Sequence, residues 1–192
     1  MTLVFATNNP NKLKEVQGLL PSYIQLKSLE DIGCTEDIIE DAPTIEGNAI
    51  LKAKYIKDTY GYDCFADDTG LEVIALNNEP GVYSARYAGP QKNASDNMNK
   101  LLINLATQTD RSAQFKTVIA FAKANSMYTF EGICKGEITK ERQGDGGFGY
   151  DPIFKPEGYE ATFAQMALAL KGKIGHRGKA VAKFIEYTAT LQ

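Results

Sequence analysis

The sequence predicts an α/β protein with a mixed β-sheet, and two patterns carry that prediction. Segments typical of β-strands alternate along the chain with segments whose apolar residues recur at helical spacing. Residues 114–124 and 127–138 are two strand-like segments with only two residues between them, which is typical of an antiparallel hairpin. Because a hairpin excludes an all-parallel sheet, we expect a mixed sheet flanked by helices.

The first half of the chain supplies strands and helices in alternation. Residues 3–7 predict a short strand, and the turn NNPN follows it. Residues 12–20 repeat apolar side chains every three or four positions until Pro21, which predicts a helix. Residues 24–29 predict a second strand, and residues 44–61 predict a long helix with one apolar face.

The remaining elements continue the alternation. Residues 62–66 and 71–76 predict two strands on either side of an acidic pair, and NNEPG after them predicts a turn. Helices are predicted at residues 95–106, 162–170 and 179–191 from their apolar spacing. No repeat and no linker-like composition divides the chain, so the whole sequence, residues 1–192, is expected to form a single domain.

Composition limits the classes of function. The net charge is −3 without a basic block, which disfavours nucleic-acid binding driven by phosphate neutralisation. No apolar run approaches the roughly 18 residues that would span a membrane, and the first residues lack signal-peptide character. Three distant cysteines without a C-x-x-C motif predict reduced thiols and a cytoplasmic location. With one histidine, any bound metal is expected to have oxygen ligands, which favours magnesium or manganese.

The acidic pair Asp67–Asp68 lies where a buried strand is expected to meet a turn. Aspartate is depleted in strands and is costly to bury without a partner. Neighbouring side chains of an extended backbone point to opposite faces, so one carboxylate could bind a metal ion while the other anchors the turn. The alternative is an Asx turn that holds both.

The segment TNNPNK is predicted to bind an anion. It lies between a strand and a helix, where amide groups and the helix dipole attract negative charge, and Thr7, Asn8 and Lys12 add side-chain donors. The alternative is an Asn-Pro turn with a solvated lysine. Glu46 opens the long helix, where a glutamate otherwise only complements the helix dipole.

A glycine-rich loop at residues 144–154 resembles a dinucleotide fingerprint only formally. Its G-x-G-x-x-G follows a charged segment, and Pro152 stands where a helix should open. We therefore expect a flexible loop that presents Phe148 and Tyr150 beside Asp151 to a flat ligand. The alternative is a hinge whose aromatic side chains pack in the core.

The segment IGHRGKA contains the only histidine, His176, next to Arg177 and between two glycines, with Lys171 five residues before it. These side chains supply hydrogen-bond donors for carbonyl or phosphate oxygens. The alternative is a basic surface loop at the start of the last helix.

Taken in order, these segments resemble one family, the inosine triphosphate pyrophosphatases. The resemblance runs from Val4 to about Ala180 and rests on TNNPNK, EGNAILKA, ADDTGLEV, PGVYSARYAG, FGYDPIF and HRGKA. It implies a two-lobed fold with a long twisted mixed sheet flanked by helices and an active site in the cleft between the lobes. It also implies a homodimer that uses Mg²⁺ to cleave ITP, dITP and XTP to the monophosphate and pyrophosphate.

The resemblance also implies residue roles. Thr7, Asn8 and Lys12 would hold the triphosphate, and Glu46 and Asp68 would bind magnesium, with Asp68 also the proton acceptor. Substrate contacts would come from a further set: Thr69, Phe148, Gly149, Tyr150, Asp151, Lys171, His176 and Arg177. The chain departs from the family pattern at Leu170, usually glutamate, and at Gly175, usually serine.

The implied reaction is attack of water on the α-phosphorus with pyrophosphate leaving, in which positioning and charge stabilisation matter most. A non-catalytic module that senses purine nucleotides is the principal alternative. A dehydrogenase would rest on the rejected glycine pattern, and a serine hydrolase lacks G-x-S-x-G. The expected partner is therefore a purine nucleoside triphosphate, with no nucleic acid and no membrane.

Overall fold

The computed structural model describes residues 1–191, and within them seven strands form one sheet. The strands are β1 (Thr2–Phe5), β2 (Gln25–Lys27), β3 (Cys64–Val73), β4 (Glu79–Gly81), β5 (Ser112–Lys123), β6 (Ser126–Ile138) and β7 (Phe154–Pro156). Their order is β2-β1-β3-β5-β6-β7, and β4 pairs with β3. The pairs β1–β2 and β1–β3 are parallel, whereas β3–β4 and β6–β7 are antiparallel. The predicted α/β fold with a mixed sheet is therefore confirmed.

Five α-helices accompany the sheet in the described part of the chain: α1 (Pro10–Gln17), α2 (Ile45–Tyr60), α3 (Ala94–Asn104), α4 (Leu168–Ile174) and α5 (His176–Ala189). None of them combines the length and the apolar character needed to cross a membrane. The helix predicted at 162–170 is wrong in its position. A 3₁₀ turn occupies Phe163–Gln165, where Thr162 and Gln165 close a capping box, and α4 begins only at Leu168.

The acidic pair lies inside a strand and not at its end. The two strands predicted around Asp67 and Asp68 are one continuous ten-residue strand, β3. The predicted NNEPG turn contains β4, which pairs with β3 from Leu71 to Val73. Two aspartates can stay in a buried strand because cationic side chains from distant parts of the sequence reach Asp67 and Asp68, as described below.

The chain divides into two compact units. Unit 1 comprises Met1–Asp68, Thr117–Gly132 and the C-terminal segment from Arg177, and unit 2 comprises Thr69–Lys116 and Ile133–His176. The core of unit 1 includes Phe5 stacked on Phe65 with ring centroids 4.6 Å apart. The core of unit 2 includes Phe115 packed edge-on against Phe154 at 4.7 Å. Each unit therefore buries an apolar core of its own.

Candidate active site

The predicted anion-binding segment forms the entry to α1. The side chain of Asn9 caps the helix by accepting from the amides of Asn11 (2.9 Å) and Lys12 (3.3 Å), and Pro10 occupies the first turn. Thr7 accepts from the amide of Asn9 at 3.2 Å, and Asn8 is exposed. This cap fixes where the helix begins and therefore where Lys12 leaves the backbone.

Lys12 is held by Asp67. Its ammonium lies 3.0 Å from Oδ1 of Asp67 and donates to the backbone oxygen of the same residue at 3.3 Å. Arg177 donates from Nε to the other carboxylate oxygen at 2.9 Å. Burial disfavours the charged form of Asp67, which is 0% exposed, yet these two cations outweigh it and hold the pKa of Asp67 well below its usual range.

Arg177 lies at the first turn of α5 and is almost completely buried. Besides Asp67 it binds Glu15 of α1 through Nη1. Burial acts to lower the pKa of Arg177, but Asp67 and Glu15 together raise it. A cation at a helix N-terminus is unfavourable with respect to the helix dipole, and these carboxylates offset that cost. The predicted contact of Arg177 with substrate stays a prediction, and within unit 1 its side chain binds Asp67 and Glu15.

Asp68 has a different set of partners, which belong to α2. Asn48 donates to its Oδ2 at 3.4 Å, and the ammonium of Lys52 lies 3.8 Å from its Oδ1. Lys52 also lies 3.4 Å from Oε2 of Glu40. Burial raises the pKa of Asp68 and Lys52 only partly counteracts it, while Glu40 adds to the increase. The buried Asp68 carboxylate is therefore short of positive charge.

Glu46 lies in the first turn of α2, after the N-cap Thr44, and its side chain is exposed. Among residues 1–191, no group of three or more His, Cys, Asp or Glu side chains is placed to hold a metal ion. Mg²⁺ is commonly bound by one or two carboxylates together with waters and substrate phosphates, so a full protein cage is not needed. The carboxylate of Asp68 is a hard oxygen donor of the kind that Mg²⁺ prefers, and Glu40, which contacts the same lysine, is a second one.

Sequence reasoning missed three side chains near Asp68, namely Glu40, Asn48 and Lys52. The latter two have a recognisable signal, because they lie on the buried face of α2 among Ile45, Ala49, Ala53 and Ile56. A lysine and an asparagine on such an apolar face must have buried polar partners. Glu40 has no signal of this kind, since it lies in a polar loop with several other acids.

A second group of predicted site residues comes together within unit 2. Lys171 and Asp151 form a buried ion pair of 2.5 Å. Oδ2 of Asp151 also accepts from the amide of Phe148 at 2.8 Å. The ammonium of Lys171 lies 4.7 Å from the ring centroid of Phe148 and 5.6 Å from that of Phe163, within cation–π range. The glycine-rich loop and α4 are thereby fixed to each other through Asp151.

His176 and Tyr150 are buried in unit 2. The imidazole of His176 stacks on Phe115 with ring centroids 4.4 Å apart. Tyr150 donates to the backbone oxygen of Ser84 at 2.9 Å, and burial raises its pKa. Tyr150 thus packs in the core, as the alternative reading of the loop expected, whereas Phe148 is half-buried. Thr69 and Gly149 are also half-buried.

Comparison with known proteins gives a consistent result over almost the whole chain. The sequence model of the Ham1 family matches residues 3–187. A protein of Flavobacterium johnsoniae named dITP/XTP pyrophosphatase is 64% identical over 99% of this chain and 100% of its own length. A protein of the same name from Porphyromonas gingivalis is 50% identical over 96% of each.

Solved structures agree with this result. The Ham1 protein of Staphylococcus aureus superposes with a TM-score of 0.91 at 37% identity, covering 100% of both chains. A dITP/XTP pyrophosphatase from Mycobacterium abscessus superposes with a TM-score of 0.79 at 37% identity, covering 96% of this chain and 99% of that one.

Proposed function

The chain belongs to the Ham1 family, and on that premise we propose that it hydrolyses non-standard purine nucleoside triphosphates. The substrates are ITP, dITP and XTP, the products are the monophosphate and pyrophosphate, and the role is to clear these nucleotides from the cellular pool. The observation that carries the proposal is the buried carboxylate of Asp68, which shares the ammonium of Lys52 with a second carboxylate, Glu40. Burying such a carboxylate costs free energy when no ligand is bound, so the site suits a ligand that brings positive charge.

Lys12, Thr7 and Asn8 at the start of α1 are proposed to bind the phosphates. An ammonium with three N–H donors and two hydrogen-bonding side chains at a helix N-terminus is a suitable set for a triphosphate. The triphosphate would place its negative charge next to the ammonium of Lys12. It would also account for a lysine that is mostly buried and whose pKa burial lowers.

Mg²⁺ is proposed to bind at Asp68, with either Glu46 or Glu40 as a second carboxylate. The resemblance to the family assigns Glu46, whereas the shared contact with Lys52 favours Glu40. When bound there, Mg²⁺ supplies charge neutralisation and polarisation of water.

Asp68 is proposed to orient the attacking water and to accept its proton. The water oxygen bonds to the α-phosphorus, the bond from that phosphorus to the bridging oxygen breaks, and pyrophosphate leaves with the bond's electron pair. Asn48 and Lys52 hold the Asp68 carboxylate in place during this step. Positioning of this kind accounts for most of the catalysis in phosphoryl transfer.

Base recognition is proposed to lie with the unit 2 group. Lys171 and His176 carry N–H donors that suit the 6-oxo group of hypoxanthine and xanthine and do not suit the 6-amino group of adenine. Phe148 offers a ring face for stacking, and Asp151 fixes Lys171. The chain is also proposed to act in the cytoplasm as a homodimer.

Release of pyrophosphate tests this function. With Mg²⁺ present, kcat/KM for ITP, dITP and XTP should exceed kcat/KM for ATP and GTP by at least about a hundredfold, because a mismatched buried donor strongly penalises the wrong base. A non-catalytic sensor would bind ITP and release no pyrophosphate. Comparable rates with ATP would disprove the proposed substrate class.

A further inference from the structure

Four charged side chains of unit 1 form a chain of alternating sign: Glu15, Arg177, Asp67 and Lys12. Each touches the next, and all four are largely buried, with side-chain exposures of 10%, 3%, 0% and 14% in that order. Glu15 and Lys12 lie three residues apart on α1, so that they are neighbours on its surface. The role proposed above for Lys12 leaves the purpose of Glu15 unexplained.

The guanidinium of Arg177 is divided between two carboxylates. Nε donates to Oδ2 of Asp67 at 2.9 Å, while Nη1 binds Oε2 of Glu15. The guanidinium is rigid and planar, so a partner on one nitrogen also fixes where the others point. Glu15 on Nη1 therefore fixes the orientation in which Nε faces Asp67.

The other oxygen of Asp67 faces Lys12. Oδ1 of Asp67 lies 3.0 Å from the lysine ammonium, and the backbone oxygen of Asp67 accepts from it at 3.3 Å. An ion pair and a hydrogen bond thus hold the ammonium to the same residue. A lysine held at two points loses less conformational freedom when it binds a phosphate than a freely moving one does.

We infer that Glu15 is a positioning residue for the triphosphate. By holding Nη1 of Arg177, it fixes the orientation in which Nε binds Asp67, and Asp67 thereby stays in place to hold Lys12 for the phosphates. The inference rests on the proposed function and adds a residue to it. Its effect passes through Lys12, so it should vanish when Lys12 is absent.

The test compares Glu15→Ala and Glu15→Gln in the wild-type chain and in Lys12→Ala. Glu15→Ala should raise the KM for ITP about tenfold, the size expected from one lost hydrogen bond to a charged group, with kcat changed by less than about threefold. Glu15→Gln keeps an acceptor for Nη1 without its charge and should raise KM by only about threefold. In Lys12→Ala, neither change should raise KM further.

Matched measurements separate this role from a loss of folding. Asp58→Ala removes an exposed ion pair of α2 with Lys54 and should leave KM unchanged. Calorimetric Kd values for ITP, measured in the Asp68→Asn background, should follow the KM values. If Glu15→Ala fails to fold, because a buried arginine has lost a partner, Glu15→Gln and its dependence on Lys12 decide the question.

The outcomes are distinct. Three results would overturn the inference. The rise in KM could be equally large in Lys12→Ala, kcat alone could fall, or KM could be unchanged in an active, folded Glu15 variant. These results leave the proposed function intact, whereas a wild-type chain that releases no pyrophosphate from ITP would overturn both.

Discussion

Asp67 and Asp68 are consecutive residues of one strand, yet their surroundings shift the pKa of the two carboxyl groups in opposite directions. Asp67 lies between Lys12 and Arg177, which hold its pKa low in spite of complete burial. Asp68 is buried beside one more distant ammonium, from Lys52, and its pKa is raised. Alternation along the strand explains the difference, because it directs adjacent side chains to opposite faces.

The first prediction concerns Asp67 and pH. Asp67→Asn should lower the free energy of unfolding at pH 7 by about 3 kcal/mol or more, because it leaves buried cations without their partner. The folded pKa of Asp67 lies below the unfolded value of about 3.9, so its stabilisation is fully present above that pH and is lost as the pH falls through the folded pKa. The free energy of unfolding, measured with urea between pH 3 and pH 7, should therefore differ less between wild type and variant as the pH falls.

Asp58→Asn serves as the control for that series, since Asp58 is exposed and its ion pair with Lys54 should contribute little. The stabilising role of Asp67 would be contradicted if the loss of unfolding free energy in Asp67→Asn stayed constant down to pH 3. It would also be contradicted if that loss were no larger than the loss in Asp58→Asn.

The second prediction concerns Gly147. Its φ is +71°, and a Cβ atom there would lie 2.0 Å from Oδ2 of Asp151, the oxygen that binds Lys171. Gly158 has a similar φ of +81° and no heavy atom within 4 Å of its Cβ position, so Gly158→Ala is a matched control for backbone strain. Gly147→Ala should lower both the melting temperature and kcat/KM for ITP more than Gly158→Ala does. Equal effects in differential scanning fluorimetry and kinetics would show that the contact with Asp151 is unimportant.

At the scale of elements, α2 carries the polar residues that complete the surroundings of Asp68. Its buried face is apolar except for Asn48 and Lys52, which contact Asp68. Sequence periodicity predicted this helix within a residue at each end, because its N-cap and its terminal glycine are local features. The contact of this buried face with Asp68 could not be predicted, because periodicity does not identify the partner of a buried lysine.

The third prediction uses that face. Lys52→Met keeps most of the apolar stem and removes the charge next to Asp68, so kcat/KM for ITP should fall by at least about tenfold. Lys54→Met, on the exposed side of the same helix, should change it by less than about twofold. Both variants are measured as folded proteins at a Mg²⁺ concentration that saturates each of them. Similar kcat/KM values for the two would rule out a role for Lys52.

Strand β3 shows why the sequence predicted two strands where there is one. Local propensity disfavours aspartates inside a buried strand, and the stabilising partners lie 55 positions away at Lys12 and 110 positions away at Arg177. Charge compensation over such separations is not visible in a local window. For the same reason, the contacts of Arg177 with Asp67 and Glu15 could not be predicted from the sequence around it.

At the scale of the whole molecule, the order of motifs along the chain identified the family, and the family model and the solved relatives confirm it. The mixed sheet was also predictable, because each strand has a local pattern. The acid that shares Lys52 with Asp68 was not predictable, because the segment before α2 carries several acids within a few positions and only the folded chain brings Glu40 to that lysine.

The fourth prediction distinguishes two of these acids. Glu40 shares Lys52 with Asp68, so Glu40→Gln should raise the Mg²⁺ concentration for half-maximal activity by about tenfold or more. Glu46→Gln should raise it less, because Glu46 is exposed in the first turn of α2. The measurement is a Mg²⁺ titration of pyrophosphate release from ITP. A larger rise in Glu46→Gln would instead favour Glu46 as the second carboxylate, and full activity in EDTA would exclude both.

The most direct measurement of the catalytic role of Asp68 combines turnover, binding and stability in Asp68→Asn. Pyrophosphate release from ITP should fall by about a thousandfold, because the proton acceptor is lost while the shape of the side chain is kept. Calorimetry should still detect ITP binding, and the melting temperature should not fall, since the buried carboxylate with a raised pKa disfavours folding at neutral pH. An Asp68→Asn chain that still turns over ITP, or one that loses activity only because it unfolds, would contradict the catalytic role of Asp68.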